Sequence, residues 1–213
     1  MKNIAIILAA GSGTRVGGNV PKQYMTLPDG RTVLQTCIDA FKACPLIDDV
    51  VVITPEIGGK TRSESSWKAL CKVYDERCVK HGESSSDINV LIHDAARPFV
   101  SQRILEDVCK ALEQHEAVTV AVPATDTIYE CTMQNAQCTI KAIPDRATMW
   151  RAQTPQAFRL SVIRRAYELA FQDEHMQATD DCGIVHTYMP NTPIFIVEGE
   201  ESNRKITFKE DFR

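Results

Sequence analysis

With 213 residues, 24 Lys and Arg against 28 Asp and Glu, and a formal net charge of −4, the chain is long enough to bury the core of one large domain without disulfide staples. The near balance of charge supplies no basic stripe for a run of nucleic-acid phosphates, which argues against a polymeric nucleic-acid partner and leaves any bound anion to local cations and backbone N–H groups. The eight cysteines form no C-x-x-C pair and are predicted to be buried free thiols in a reducing, cytoplasmic compartment.

In chain order, the apolar run IAIILA at 4–9 reads as a first strand. It is too short to span a membrane and lacks the layout of a signal peptide. It feeds directly into LAAGSGTRVGGNVPKQY at 8–24, a glycine-rich loop whose backbone can approach phosphate closely. Gly11 and Gly13 remove Cβ obstruction, and Arg15 and Lys22 place charge where phosphate oxygens would sit. The loop is neither a Walker A nor a G-x-G-x-x-G motif, because Val16 stands where the third glycine would be. An ordinary turn with surface cations explains it equally well on its own.

A helix is predicted from Val33, then a strand at 49–54. The strand meets IGGKTR almost at once, leaving too little chain for the crossover of a dozen or more residues that parallel neighbours require. The expectation is that a helix has been lost at this junction or that further residues belong there. The segment 58–65 mixes hydroxyls with cations, a helix follows from Ser65, and a third strand occupies 88–93. All three strands are unbroken apolar strings, the pattern of strands covered on both faces.

HDAARPF at 93–99 lies just beyond the third strand, where a parallel sheet presents its ligand-binding loops. Asp94 is suited to a ribose hydroxyl or Mg²⁺, or equally to capping a following helix with Arg97 paired to it. His93 reads as a packed strand-end residue, since no second ligand stands at a metal-binding spacing. Ser101 is predicted to cap the next helix, and a fourth strand spans 117–124. Residues 126–142 alternate as a polar hairpin turning around Asn135. The segments 143–158 and 178–181 are expected as loops, with Arg146 suited to phosphate, Trp150 an anchor in the core or an interface, and Thr179-Asp180 a helix N-cap. A last helix from Ser161 and a strand at 193–198 complete a three-layer α/β/α pattern with a mostly parallel sheet.

The ordered motifs LAAGSGTR, PKQY, GG-x-x-R-x-x-S, HDAARPF, Asp126-Thr127, AQTPQAF, TDD at 179–181 and VEGEESNRKIT at 197–207 make the chain resemble the 2-C-methyl-D-erythritol 4-phosphate cytidylyltransferases and the closely similar ribitol-5-phosphate cytidylyltransferases. The resemblance implies a Rossmann-like domain over 1–213 with a β-arm insertion at about 126–142. It further implies transfer of a cytidylyl group from CTP to a small sugar-alcohol phosphate with release of pyrophosphate, dependence on Mg²⁺, and a homodimer in which the arm crosses to the neighbour. By the same resemblance Arg15 and Lys22 stabilise the α-phosphate, and Ala9, Ala10, Gly11 and Gly13 form the triphosphate loop. Gly59 and Ser65 select cytosine, Asp94 and Ala95 lie at the nucleotide, and Asp94 is the candidate metal ligand. Arg97, Thr154, Thr179 and Lys205 line the acceptor site, with Thr127 and Arg146 arriving from the partner and Arg146 and Lys205 counted among the catalytic cations.

Two departures from the family pattern stand out: the short junction before Gly58, and Lys60 after the second glycine. HDAARPF favours the methylerythritol branch over the ribitol branch. No nucleophile–base–orienter set is visible among the dispersed histidines, so covalent hydrolysis is disfavoured. A nucleotide-binding regulatory domain is the alternative from another class. Retention of Arg15, Lys22 and Lys205 together argues against it.

Overall fold

The computed structural model describes residues 1–11, 20–134 and 137–212. Gly13, Arg15 and the hairpin turn at Asn135 lie outside the described residues. Eight strands are present among those described: β1 (Lys2–Leu8), β2 (Asp49–Ile53), β3 (Ile88–Asp94), β4 (Ala117–Pro123), β5 (Glu130–Gln134), β6 (Gln137–Ala142), β7 (Trp150–Arg159) and β8 (Phe195–Glu198). The α-helices are α1 (Val33–Lys42), α2 (Arg62–Tyr74), α3 (Gln102–Ala111), α4 (Leu160–Ala170) and α5 (Asp181–Tyr188).

Six strands form one sheet in the order β2-β1-β3-β7-β4-β8. β1 runs parallel to β2 and β3, and β4 runs parallel to β8, while β7 is antiparallel to both β3 and β4. Successive side chains of a strand point to opposite faces, so the unbroken apolar run of β1 feeds two cores. Ile4 and Ile6 pack with Leu70 of α2 and Ile163 and Tyr167 of α4. Ala5 and Ile7 pack on the other face with Phe41 of α1 and Ile104, Leu105 and Val108 of α3. This is the α/β/α arrangement expected from the sequence. β2 departs from the expectation of two covered faces, because it is the edge strand and most of it is only half-buried.

The missing crossover is not missing. After β2 the chain turns at once, with Gly58 N donating to Thr54 O at 2.8 Å, and α2 is itself the crossover that returns the chain to β3. The loop 54–61 is the carboxyl-end loop of β2. The stretch from Trp150, expected as a loop, is instead the ten-residue β7. Its Pro155 sits where pairing with β4 shifts register between Thr119 and Ala121 and where pairing with β3 has stopped at Gln156. A residue without an N–H is tolerated there because no ladder bond asks for one. Trp150 itself is 43% exposed and not a core residue. Helix α5 follows the helix expected to be last, capped by Asp180, whose carboxylate accepts from Gly183 N at 2.8 Å.

The cysteines split. Cys37, Cys44 and Cys109 are buried free thiols as expected, whereas Cys131 and Cys138 are exposed on the β5–β6 ribbon. That ribbon is a two-stranded sheet of its own, with Ile128, Tyr129, Met133, Ile140 and Ile143 all exposed along or beside it. Among the described residues no helix is long and apolar enough to cross a membrane.

Ser101 caps α3 as predicted, its Oγ accepting from Ile104 N at 3.3 Å and donating to Glu200 at 2.8 Å. Loss of both bonds in Ser101→Ala is expected to lower stability by about 1 kcal/mol, the usual cost of an N-cap. A chemical-denaturation midpoint unchanged from wild type would exclude that role for the hydroxyl.

Candidate active site

The carboxyl ends of β1, β2 and β3 open into a cavity of about 590 Å³, whose rim carries Ala9, Ala10, Gly11, Lys22, Gly59, Ser65, Asp94, Ala95, Thr179 and Lys205. Ten of the residues singled out in the sequence thus share one cleft, drawn from segments far apart in the chain. Parallel topology brings them together, because every strand of this group ends on the same edge of the sheet.

The glycine-rich loop is held at its start by Gln23, a buried side chain whose amide donates to Ala9 O at 2.8 Å and Gly11 O at 2.9 Å. Lys22 stands beside it and donates from Nζ to Ile206 O at 2.9 Å. The 58–65 loop packs on the same strand end so tightly that a Cβ at Gly58 would lie 2.3 Å from the Ala10 Cβ, and one at Gly59 would lie 2.2 Å from the Glu64 Cβ. Glycine is required at both by this close approach. Ser65 Oγ accepts from Gly59 N at 3.0 Å and donates to Thr61 O at 2.9 Å. Its hydroxyl shapes the loop, leaving the loop backbone and the Lys60 and Thr61 positions to face the cavity.

Asp94 ends β3 between two cations. Arg62 Nε lies 3.2 Å from Oδ1 and Lys205 Nζ lies 2.6 Å from Oδ2. Burial works to raise this carboxyl, but the Arg62 and Lys205 charges and the Lys205 hydrogen bond outweigh it and hold the group below the usual carboxylate range. It is therefore ionised at neutral pH. Neither bland reading of Asp94 applies: α3 is capped by Ser101, and Arg97 turns away to donate to Asn203 O at 2.8 Å and Ala152 O at 3.3 Å.

His93 is fully buried, and burial pushes its imidazole down to about 4. Its Nε2 lies 2.9 Å from Arg97 O, which can only accept, so Nε2 donates and the neutral ring accepts at Nδ1 from the Thr154 hydroxyl at 2.9 Å. Thr154 Oγ1 also accepts from Asp94 N at 3.2 Å. Thr154 is thus buried and braces the end of β3 rather than lining the cavity. The segment carrying Lys205 is fixed by Asn203, whose amide donates to Thr154 O at 2.9 Å, and by Ile206 N, which donates to Ala96 O at 2.8 Å.

Four expected site residues stand apart from this cavity. Thr154 and Arg97 serve the interior as described, while Thr127 and Arg146 lie at the base of the ribbon, Arg146 donating to Thr125 O at 3.0 Å. Gln23 and Arg62 were not foreseen as site residues. Both fall inside the motifs PKQY and GG-x-x-R-x-x-S, but nothing in their spacing announces that one staples the start of the glycine-rich loop and the other lies between two carboxylates.

A sequence model described as 2-C-methyl-D-erythritol 4-phosphate cytidylyltransferase matches residues 3–213. The chain belongs to that family. Among its relatives in it, the 2-C-methyl-D-erythritol 4-phosphate cytidylyltransferase of Thermobifida fusca is 41% identical over 97% of this chain and 89% of that one. The crystal structure of the Francisella tularensis cytidylyltransferase superposes with a TM-score of 0.79 at 29% identity, covering 100% of this chain and 97% of the other. A bifunctional ribulose 5-phosphate reductase/CDP-ribitol pyrophosphorylase of Haemophilus influenzae is 33% identical over 97% of this chain, which spans 46% of that larger protein. As a cytidylyltransferase, the chain has its cleft at the sheet edge where an α/β enzyme handles nucleotides.

Proposed function

We propose that the chain transfers the cytidylyl group of CTP to 2-C-methyl-D-erythritol 4-phosphate and releases pyrophosphate, the reaction that supplies a nucleotide-activated precursor for isoprenoid synthesis. The observation that carries this reading, beyond family membership, is a cleft with a glycine-rich backbone rim and lysines from three separate segments, Lys22, Lys60 and Lys205. An acceptor phosphate is already anionic, so the reaction needs no general base. Its oxygen attacks the α-phosphorus in line, a new P–O bond forms, and the bond to the β-phosphate oxygen breaks. In this reading the rim at Ala9, Ala10 and Gly11 cradles the triphosphate and Lys22 meets the charge that grows at the α-phosphate. Arg15 is assigned the same role. Lys205 and Thr179 face the acceptor, and the 58–65 loop reads the base.

Among the described residues Asp94 is the only carboxylate on the rim of the cavity, and no three metal-binding side chains among them form a cluster. That donor set fits a Mg²⁺ that arrives with the triphosphate, since Mg²⁺ is commonly held by one or two carboxylates together with substrate phosphates. Bound there, the ion would neutralise phosphate charge, with Asp94 as its protein ligand through Oδ2 in exchange for the Lys205 ammonium that stands 2.6 Å from that oxygen. We further propose a homodimer in which the β5–β6 ribbon lies on a second copy. An isolated two-stranded ribbon is marginal in water, and its exposed apolar side chains favour a partner. Eight free cysteines accord with cytoplasmic residence.

Pyrophosphate release from CTP, measured with 2-C-methyl-D-erythritol 4-phosphate and with ribitol 5-phosphate as acceptors, tests the assignment. Turnover with the first and little with the second is expected, and the reverse ranking would reassign the acceptor. The base should be discriminated as well, because a polar site left unpaired by the wrong base is penalised. CTP is expected to exceed UTP in kcat/KM by at least about tenfold. Equal values for the two nucleotides would remove the base-reading role of the 58–65 loop.

A further inference from the structure

Arg62 opens α2 immediately after the 58–61 loop, where Thr61 caps the helix by accepting from Glu64 N at 3.1 Å. Its guanidinium reaches two carboxylates on different elements. Nε lies 3.2 Å from Asp94 Oδ1 at the end of β3, and Nη1 lies 2.7 Å from Asp181 Oδ2 at the start of α5. Asp181 is completely buried and is fixed from its other side, with Tyr167 OH donating to Oδ1 at 2.6 Å and Gln156 Oε1 accepting from its backbone N–H at 3.0 Å. Asp181 is thus fixed, and Arg62 lies between it and Asp94, hydrogen-bonded to Asp94 through Nε and paired with Asp181 by charge rather than by an aligned hydrogen bond.

We propose that Arg62 is a positioning residue for the transfer reaction, holding the Asp94 carboxylate by Oδ1 so that Oδ2 faces Lys205 and the cleft. The inference deepens the cytidylyltransferase reading and rests on it. Arg62 and Lys205 are the two cations ion-paired with Asp94, one on each carboxylate oxygen, while Arg97 adds a third charge nearby without an ion pair. Without Arg62, Asp94 is free to turn both oxygens toward Lys205 and draw that ammonium away from an incoming acceptor phosphate. The same side chain ties the end of the 58–61 loop to the end of β3, and so fixes the spacing between two walls of the cleft. A guanidinium suits this position because its planar fork serves two carboxylates at once, whereas a lysine ammonium on a flexible stem behaves as a single point charge.

A purely structural ion pair is the competing explanation, and a charge-balanced double variant separates the two. Arg62→Met alone leaves Asp181 buried and unpaired, so both stability and turnover fall. Adding Asp181→Asn removes the orphan charge, and the thermal midpoint is expected to recover toward wild type. Turnover is not expected to recover: kcat should remain about 10–100-fold below wild type, with KM for CTP within about threefold, the pattern of misplaced groups rather than lost binding. Arg62→Lys provides the second arm, keeping a cation that can satisfy Asp181 while releasing Asp94. It is expected to show the same kcat loss at a temperature where its circular dichroism matches wild type. Turnover within about threefold of wild type in either folded variant overturns the proposal, and a double variant that does not fold leaves Arg62→Lys to decide by the same criterion. A wild-type chain without CTP-dependent turnover would instead overturn the proposed function itself, so the two failures are distinguishable.

Discussion

Lys22→Ala and Arg15→Ala are each expected to reduce kcat by about 10²–10³-fold, the scale seen when a preorganised group that stabilises transition-state charge is removed from an enclosed site. The expectation follows from where charge changes. The triphosphate is an anion both before and during reaction, but the α-phosphate gains its second negative neighbour only as the acceptor oxygen approaches. A cation at that point acts chiefly on the transition state, so kcat should fall more than CTP binding weakens. Lys22 is held in place for this role, because its ammonium donates to Ile206 O, a carbonyl fixed in turn by the bond from Ile206 N to Ala96 O. Arg15 lies outside the described residues, and its part of the prediction rests on its place in the glycine-rich loop. Steady-state pyrophosphate release under saturating CTP is the measurement. Turnover within about threefold of wild type for either variant would withdraw that residue from the reaction.

The layers of the fold were legible because unbroken apolar strands and amphipathic helices alternate, and the site's rim was legible because its residues cluster just after strands. What escaped notice escaped for physical reasons. β7 is polar along QTPQ and contains a proline, yet it lies in the centre of the sheet. The polar side chains of that strand are satisfied internally, Gln156 donating to Asp180 Oδ2 at 2.6 Å and Thr154 bonded to His93. A pattern rule based on apolar alternation has no means of seeing a strand whose buried groups are paired across the chain. The junction after β2 is the converse case, since α2, predicted from Ser65, supplies the connection from β2 to β3. Arg62 shows the remaining limit: its motif was visible, but that its partners would be Asp94 and Asp181, 32 and 119 positions further on, follows only from the sheet order.

The ribbon leads to the second large prediction, because Arg146 stands at its base, exposed and outside the cavity of its own chain. If Arg146 completes the site of a second copy, Arg146→Ala and Lys22→Ala are each nearly inactive as homodimers for different reasons. Mixed and allowed to exchange, the two chains form heterodimers in which one site has lost both residues and the other retains both. Random pairing in a two-fold dimer makes half of the dimers mixed, so activity is expected to recover to about a quarter of wild-type sites. Recovery should follow subunit exchange in time, monitored by co-purification of differently tagged chains, because no new contact is created except through exchange. The stoichiometry is the discriminating quantity. Arg146 acting within its own chain gives a mixed dimer with one defect in each site, and activity then stays at the homodimer baseline however completely the subunits exchange. Exchange without recovery would therefore return Arg146 to its own subunit, bound to Thr125 O at the foot of a ribbon whose apolar side chains serve contact alone.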